Sequence, residues 1–340
     1  MTAVLEILSA GPSLTVQDLG RSGFLAQGLT RGGAADRLAL FEGAALLDQD
    51  PELAAIEMVG MGGTFRASID VVIALTGAPM TATIDGAAAV WNASHLLPAG
   101  ATLKIGSART GGYGYLQVAG GIDTAIVMGA RSAHLKSGVG GMLMEGDRLP
   151  LVAGAIARPG QTLQPSDRMS GGAIRVMESL QTSLFSDATR ARFSATTFRR
   201  DPRGNRQGVR MDSEDTGFFV DGGLSIVSEV ILTGDIQITG DGAPYVLMCE
   251  CQTTGGYPRI ATVLPADLPR VAQAPIGAAL TFEFVNREAA VAIEARARAE
   301  RLALPGQVEP LLRDPADMAD LLGYQLVGGA VSALADPFDR

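Results

Sequence analysis

Residues 250–270 have the sequence ECQTTGGYPRIATVLPADLPR, and this stretch decides how the rest of the chain is interpreted. It carries a carboxamide and two hydroxyl groups at 252–254, followed by two adjacent glycines, Gly255 and Gly256. Because glycine lacks a Cβ, such a backbone can turn sharply and leave its N–H groups free. Free N–H groups beside hydroxyl and carboxamide groups are suited to hold an anion or a developing oxyanion. The plain alternative is a strand, a turn and a second strand, in which Gly and Thr are ordinary residues.

The sequence around this stretch favours β-structure. The apolar run at 260–264 is typical of a buried strand, and the polar turn at 265–267 ends it. Short apolar runs separated by Gly, Pro, Asp or Asn continue over residues 173–285, and the same pattern fills residues 53–118. The chain also contains 43 glycines and 17 prolines among 340 residues. We therefore expect a mainly β protein built from barrels or sandwiches.

The pattern divides the chain into three regions. We expect an N-terminal domain at 1–160, a C-terminal domain at 173–290, and a helix with a returning strand at 291–340. A polar segment rich in Pro and Gly, at 158–172, is the predicted linker. The predicted strands of the N-terminal domain are 4–8, 14–16, 54–59, 64–67, 71–76, 88–91, 102–105 and 113–118. The predicted helices are 37–47, 181–193 and 286–304, and the returning strand is 321–333.

Charge and hydropathy exclude several classes of partner. The net charge of −9 argues against binding to a nucleic-acid backbone. No apolar segment is long enough to span a membrane without polar interruption, and the N-terminus lacks the pattern of a signal peptide. We therefore expect a cytoplasmic protein with neither a nucleic acid nor a membrane as partner.

The cysteines and histidines point to no disulfide and no metal site. Cys249 and Cys251 lie two residues apart in a predicted strand, so their side chains face opposite sides and an intrastrand disulfide is disfavoured. Their free thiols fit a reducing compartment. His95 and His134 have no metal-ligand spacing to each other or to the cysteines, so no metal is predicted.

Five segments, in their order and spacing, resemble one known family. They are VQDLGR at 16–21, GLTRGGAAD at 28–36, GYGYLQVAGGID at 112–123, NRQGVR at 205–210 and QTTGGYPRI at 252–260. On these motifs the chain resembles the KipA family, also called allophanate hydrolase subunit 2 or the biotin-dependent carboxyltransferase family, which includes the C subunit of 5-oxoprolinase. Arg31, Gly32 and Ala35 depart from the family's usual residues beside the expected pocket, which leaves the substrate open.

The resemblance implies two cyclophilin-like β-barrel domains with a few short helices. It also implies a subunit of an ATP-dependent 5-oxoprolinase, which converts 5-oxoproline to glutamate. The implied partners are a sister subunit of the KipI family (allophanate hydrolase subunit 1 type), a further lactam-utilisation subunit, and a small amide or lactam as substrate.

Two other functions stay open on the same resemblance. One is the carboxyltransferase component of a biotin-dependent urea or amide carboxylase, and the other is a non-catalytic regulator that binds a KipI-like protein. The only lysines, Lys104 and Lys136, lie neither in a phosphate-binding loop nor in the kind of segment that carries covalent biotin. We therefore expect ATP to act through partner subunits, and biotin, if used, to come from another chain.

The candidate site residues follow from the motifs. The predicted catalytic residues are Gln252, Thr253, Thr254 and Asp267. The predicted substrate-binding residues are Asp18, Arg21, Asp36, Asn205, Arg206, Gly255, Gly256, Tyr257 and Arg259. Hydroxyl, carboxamide and backbone N–H donors would stabilise charge on an amide oxygen, and arginine would hold a carboxylate in a bidentate manner.

Several of these residues have an equally physical structural interpretation. Asp18 and Arg21 are expected to pair with each other and brace their loop, and Asp36 is a helix N-cap. Asp267 is either a general base or a turn cap, and turn capping is favoured. Tyr257 is either a wall of the pocket or part of a barrel core.

Overall fold

The computed structural model describes residues 3–214, 216–220 and 226–312 of the chain. Strands dominate these residues and helices are few, so the predicted mainly β fold is confirmed. We call residues 3–163 the N-terminal unit and residues 172–285 the C-terminal unit. The returning strand predicted at 321–333 lies outside the described residues.

The N-terminal unit contains twelve strands in two sheets. In chain order they are β1 (Val4–Ser9), β2 (Leu14–Gln17), β3 (Ala55–Val59), β4 (Thr64–Ala67), β5 (Val71–Gly77), β6 (Met80–Ile84), β7 (Ala87–Ala88), β8 (Ala93–Leu97), β9 (Thr102–Ala108), β10 (Tyr113–Val118), β11 (Arg148–Pro150) and β12 (Gln161–Thr162). One sheet has the order β11-β1-β4-β9-β6-β7. The other has the order β2-β3-β10-β5-β8-β12, and the late strand β22 (Glu309–Pro310) extends its edge.

Both sheets bury apolar side chains in one core. Burial alternates along β1: Leu5 and Ile7 are fully buried and Glu6 is turned outward, as expected of a strand with one face exposed to solvent. β5 and β10 are buried along their whole length because they lie in the middle of their sheet. Phe65 and Leu116, one from each sheet, belong to the same core cluster, so the two sheets pack face to face.

The C-terminal unit closes into a barrel. Its strands are β13 (Gly172–Met177), β14 (Phe198–Arg200), β15 (Gly208–Asp212), β16 (Glu229–Val230), β17 (Asp235–Ile238), β18 (Pro244–Leu247), β19 (Thr254–Gly255), β20 (Arg259–Val263) and β21 (Ala279–Phe284). Seven of them form the ring β13-β20-β17-β18-β15-β14-β21, which parallel pairing of β13 with β21 closes. The rings of Phe193 and Phe282 stack inside it with centroids 5.0 Å apart. β16 and β19 pair separately, outside the barrel.

Four α-helices accompany the strands in the described residues. They are α1 (Arg37–Leu47), α2 (Asp187–Ala195), α3 (Leu268–Gln273) and α4 (Arg287–Ala303). Short 3-10 turns occupy Leu25–Gln27, Leu135–Ser137, Thr182–Leu184 and Leu304–Gln307. The predicted helices at 37–47 and 286–304 are confirmed. The helix predicted at 181–193 is divided, because Ser186 caps a new helix by accepting from the backbone N–H of Thr189. None of the described helices has the length and apolar character needed to cross a membrane.

The strand predicted at 88–91 is wrong. Residues 89–92 lie between the end of β7 and the start of β8, and the earlier strand β6 was not predicted. Asp85 and Gly86, both with positive φ, join β6 to β7 as a tight hairpin. The Asp-Gly pair is a strong hairpin signal that could have placed both strands.

The predicted linker at 158–172 is not a free tether. It contributes β12 to a sheet, and its Arg168 side chain is buried against α1. Arg168 Nε donates to Asp36 Oδ2 at 2.7 Å, and two further nitrogens donate to the carboxylate of Glu42 at 2.6 Å. Burial alone would lower the pKa of Arg168, but the charges of Asp36 and Glu42 raise it above its ordinary value. The segment is therefore locked to the N-terminal unit by a buried ion pair.

We expect Arg168→Ala to lower the free energy of unfolding by about 3–5 kcal/mol, because it leaves two carboxylates buried without their cation. Urea denaturation followed by circular dichroism measures this change. The matched control is Arg66→Ala, whose partner Glu6 is partly exposed and where a loss of at most about 1 kcal/mol is expected. Equal losses for the two variants would contradict the structural role of Arg168.

Candidate functional site

The motif residues 252–257, which we call the signature loop, form an exposed arm of the C-terminal unit. Thr254–Gly255 is β19, and it pairs with β16 through Glu229 and Val230. The backbone N–H of Ile231 donates to the Thr253 carbonyl at 3.1 Å. The arm is thus held by its backbone, and the side chains of Gln252, Thr254 and Tyr257 remain exposed to solvent.

The signature loop borders a groove of about 410 Å³, which we call the signature groove. Its lining residues come from the loop, from β17 and β18, and from the segment before β15: Arg203, Asn205, Gln207, Gly208, Gln237, Thr239, Tyr245, Leu247, Gln252, Thr254, Gly255, Gly256 and Tyr257. The predicted residues Gln252, Thr254, Gly255, Gly256, Tyr257 and Asn205 are therefore brought together. Tyr257 is 44% exposed, so it is a wall of the groove and not part of the barrel core.

Gln237 is a groove residue that the sequence analysis missed. It lies on β17, its side chain is only 5% exposed, and its Nε2 has no hydrogen-bond partner among the described residues. A Cβ at position 255 would lie 2.6 Å from this Nε2, so glycine lets the carboxamide keep its present position. A buried donor without a protein partner is uncommon, and here it lines a groove. The only signal in the sequence is one polar residue inside the apolar strand DIQI.

The groove is lined mostly by neutral polar groups. Four carboxamide residues line it: Asn205, Gln207, Gln237 and Gln252. The cation among its described lining residues, Arg203, is neutralised by Asp201, which accepts from Nε at 2.8 Å and from a terminal nitrogen at 2.7 Å. Asn205 Oδ1 accepts from the backbone N–H of Gln207 at 2.7 Å and so shapes the segment before β15. The groove therefore offers hydrogen-bond donors and acceptors, and its described lining carries no uncompensated charge.

Arg206, predicted to bind substrate, instead joins the two units beneath the signature loop. It is 7% exposed, and it donates to Glu57 of β3, to Glu250 at 2.6 Å and to the Gly33 carbonyl at 2.7 Å. Burial alone would lower the pKa of Arg206, yet the nearby negative charges raise it well above its ordinary value. The second oxygen of Glu57 also accepts from the Tyr115 hydroxyl, at 2.7 Å. All three guanidinium nitrogens are occupied, so the prediction for Arg206 is corrected to a structural bridge.

The other charged residues predicted for the site also have protein partners and do not line the groove. Asp18 accepts from the backbone N–H groups of Gly20 at 2.8 Å and Arg131 at 2.6 Å, and Arg21 donates to the carbonyl of Ser132. The expected Asp18–Arg21 pair is therefore replaced by bonds to the backbone. Arg21 is buried, and burial lowers its pKa.

Asp36, Asp267 and Arg259 are corrected in the same way. Asp36 caps α1 by accepting from the backbone N–H of Ala39, which confirms its predicted capping role, and it pairs with Arg168 and does not line the groove. Asp267 accepts from the backbone N–H of Arg175 at 2.7 Å and from Arg175 Nε at 2.8 Å, so its carboxylate is used by Arg175 and neither role predicted for it, general base or cap of the turn at 265–267, fits it. Arg259 donates to Glu229 at 2.7 Å. Their carboxylates and guanidinium groups are used in contacts within the protein. Thr253 contributes its carbonyl to Ile231, and its side chain does not line the groove.

A hydrogen-bonded link between the units, absent from the sequence predictions, runs through Thr30 and His134. Thr30 Oγ1 lies 3.1 Å from the Cys251 carbonyl oxygen and 2.9 Å from His134 Nε2. Because a hydroxyl has one proton and a carbonyl only accepts, Thr30 donates to the carbonyl and His134 Nε2 donates to Thr30. Burial lowers the pKa of His134, which favours the neutral imidazole, with its proton on Nε2. The residue immediately before Gln252 is thereby anchored to the N-terminal unit.

Comparison with known proteins identifies the family. Residues 27–284 match the carboxyltransferase domain family, subdomain A and B. The chain belongs to this family. It is 36% identical to the C subunit of 5-oxoprolinase from Escherichia coli over 294 residues, which cover 85% of this chain and 93% of that protein. The resemblance stated from the motifs is therefore confirmed.

The chain is also similar to parts of larger proteins. The urea amidolyase of Saccharomyces cerevisiae is 25% identical over 302 residues, which cover 82% of this chain and 16% of that protein. The crystal structure of the K. lactis urea amidolyase has a TM-score of 0.79 at 22% identity, covering 92% of this chain and 21% of that one. At this identity the structural match shows the shared fold, which agrees with the mainly β architecture described above.

We expect the two thiols of this carboxyltransferase-family protein to resist alkylation in the folded state. Burial raises the pKa of Cys249 to about 11 and that of Cys251 to about 12, and the thiolate is the reactive form. Mass spectrometry after iodoacetamide treatment at pH 8 should detect almost no modification, while protein unfolded in guanidinium chloride should be modified at both residues. Rapid modification of the folded protein would contradict the burial of these thiols.

Proposed function

We propose that the protein is a cytoplasmic subunit of a 5-oxoprolinase-type enzyme, which opens the lactam ring of 5-oxoproline to give glutamate. The relative in Escherichia coli is named as the C subunit of 5-oxoprolinase, and the alignment covers 93% of it. Family membership supports action on an amide or lactam, and the signature groove is the proposed place of that action.

The observation that carries this proposal is the pair of carboxamides from Gln237 and Gln252 in one groove. A lactam is a poor electrophile because its nitrogen lone pair is delocalised onto the carbonyl. When a nucleophile adds to the carbonyl carbon, negative charge develops on the oxygen, and preorganised donors lower the energy of that state. Gln237 Nε2 is covered by Gly255 and has no partner among the described residues, so its N–H is an unused donor that a turn of the carboxamide toward the groove would make available without breaking another bond. Gln252, exposed at the rim, supplies a second donor.

The proposal assigns ATP to partner subunits. Neither lysine of the chain lies in a phosphate-binding loop, so we assign no nucleotide binding to this chain. Its own contribution is the lactam-binding groove. The nucleotide chemistry then belongs to a KipI-family sister subunit and a lactam-utilisation subunit. The groove residues hold and orient the lactam while negative charge develops on its oxygen.

A carboxyltransferase function is the second candidate, and family membership favours it. The Saccharomyces cerevisiae relative is named urea amidolyase, and urea, like a lactam, carries a neutral amide. The same neutral groove would hold either substrate. Biotin, if the reaction uses it, would come from another chain, because this chain lacks a segment that carries covalent biotin.

We expect Gln252→Ala to reduce kcat of the assembled complex by roughly a hundredfold, since one oxyanion donor contributes about 3 kcal/mol to the transition state. Gln237→Leu should reduce kcat in the same direction. Neither change should lower the melting temperature of the chain by more than a few degrees. Turnover of 5-oxoproline, followed as glutamate release, and thermal denaturation are measured on the same preparations.

The control for these variants is Gln27→Ala, an exposed glutamine on a 3-10 turn that does not line the groove. It should retain the activity of the unmodified chain. Full activity in Gln252→Ala, or a loss that follows unfolding alone, would show that the signature loop is only a structural hairpin.

We expect the purified chain alone to release no glutamate from 5-oxoproline with ATP, and activity to appear when the sister subunits are added. The control is the sister subunits without this chain. ATP-dependent turnover by the isolated chain would contradict the proposed division of labour. Carboxylation of urea by a mixture that contains a biotin carrier, without turnover of 5-oxoproline, would favour the second candidate.

A further inference from the structure

A second cleft, of about 630 Å³, lies between α1, α4 and the turn after β20. None of its lining residues lines the signature groove. Three of its arginines, Arg31, Arg37 and Arg301, give it a basic character, and we call it the arginine cleft. Its size is within the range of small-molecule sites, which are concave, mostly apolar and furnished with a few convergent polar groups.

These three arginines have no carboxylate partner among the residues that the structure describes. Arg37 makes one long bond, to the Gly32 carbonyl at 3.4 Å, and Arg31 Nε donates to the Leu19 carbonyl at 2.8 Å. Arg301 lies over the ring of Phe41, 5.6 Å from its centroid. Phe41 is four residues after Arg37 on α1, so both lie on one face of that helix. All three arginines line the same cleft.

The carboxylates that line the arginine cleft are already engaged. Glu42 is bound by Arg168, and Glu300 is bound by Arg296 at 2.8 Å. Glu294 accepts from the backbone N–H of Ala266 at 2.8 Å. The fourth lining arginine, Arg175, is paired with Asp267. A backbone N–H does not neutralise a carboxylate, so Glu294 keeps its negative charge, but among the described residues it is paired with none of the other three arginines. The three arginines therefore outnumber the one lining carboxylate that no cation holds.

Arg37 is partly buried and lies near a second positive charge, that of Arg31. Burial, and then the positive charge of Arg31, lower the pKa of Arg37 to about 10, so its charged form is disfavoured although it persists at neutral pH. A protein gains nothing in stability from a desolvated arginine without an anion. An oxyanion placed between Arg31 and Arg37 would remove the repulsion and fill the unused donors of both side chains.

We propose that the arginine cleft is a binding site for a small organic oxyanion, a carboxylate or a phosphoryl ester. Arg31 and Arg37 hold the anion, Arg301 closes over it from α4, and the apolar wall of Leu38, Phe41 and Leu304 contacts the carbon body of the ligand. The site is separate from the signature groove and does not depend on the function proposed for that groove.

The test is titration of the purified full chain by calorimetry with three probes: glutarate, phenyl phosphate and the uncharged glutaramide. We expect saturable binding of glutarate, phenyl phosphate or both, with no binding of glutaramide. The anion that binds more tightly distinguishes a carboxylate from a phosphoryl ligand. Arg37→Gln should weaken binding about tenfold or more, as expected when a charged hydrogen-bond donor is removed. Without a probe, this variant should melt no lower than the unmodified chain.

The matched control is Arg298→Gln, which removes an exposed charge from α4 outside the cleft and should leave binding unchanged. If Arg37→Gln fails to fold, Arg31→Gln tests the same anion contact, because Arg31 is exposed and its loss leaves no cavity. The proposal is overturned if neither anion binds saturably, if glutaramide binds as well as glutarate, or if the folded cleft variant binds the anions as the unmodified chain does.

Discussion

The architecture depends on one buried cation, the guanidinium of Arg206. It comes from the C-terminal unit and lies between Glu250 of the same unit and Glu57 of the N-terminal unit. A charge in this environment is tolerated only when it is paired and its hydrogen bonds are satisfied. Because each nitrogen has a defined acceptor, the two units can meet in only one register. Glu250 lies two residues before Gln252, so the same contact fixes the root of the signature loop.

Other directional hydrogen bonds also join the two units. Gln273 of the C-terminal unit accepts from the backbone N–H groups of Gly112 and Tyr113, at 2.9 and 3.0 Å, and donates to Asp36 at 2.8 Å. Thr30 binds the carbonyl of Cys251 from the other side. Apolar residues of α1 and β10, such as Leu40 and Tyr115, join the core of the C-terminal unit. Apolar contact favours association, and these directional bonds select a single arrangement.

The sequence predicts much of the fold. The helix at 37–47 and most strands carry local signals, and the structure brings most of the residues of the motif at 252–257 together along one polar groove. The motifs assign Arg206 and Asp36 to the pocket because an ionisable residue in a glycine-rich motif looks the same whether it faces substrate or protein. Their partners Glu57 and Arg168 are more than a hundred residues away in sequence. Local patterns carry no information about such pairs.

The signature groove and the arginine cleft differ in charge. Buried ion pairs hold the scaffold, whereas the described lining of the signature groove presents carboxamides such as Gln237 and Gln252 and no unpaired charge. Under the proposed function, the neutral groove binds a neutral amide weakly before reaction, and its donors interact more strongly once charge develops on the amide oxygen. Interactions that strengthen only in the transition state are those that raise kcat. The unpaired arginines lie in the other cleft, where they would attract a charged ligand that the groove is not built to hold.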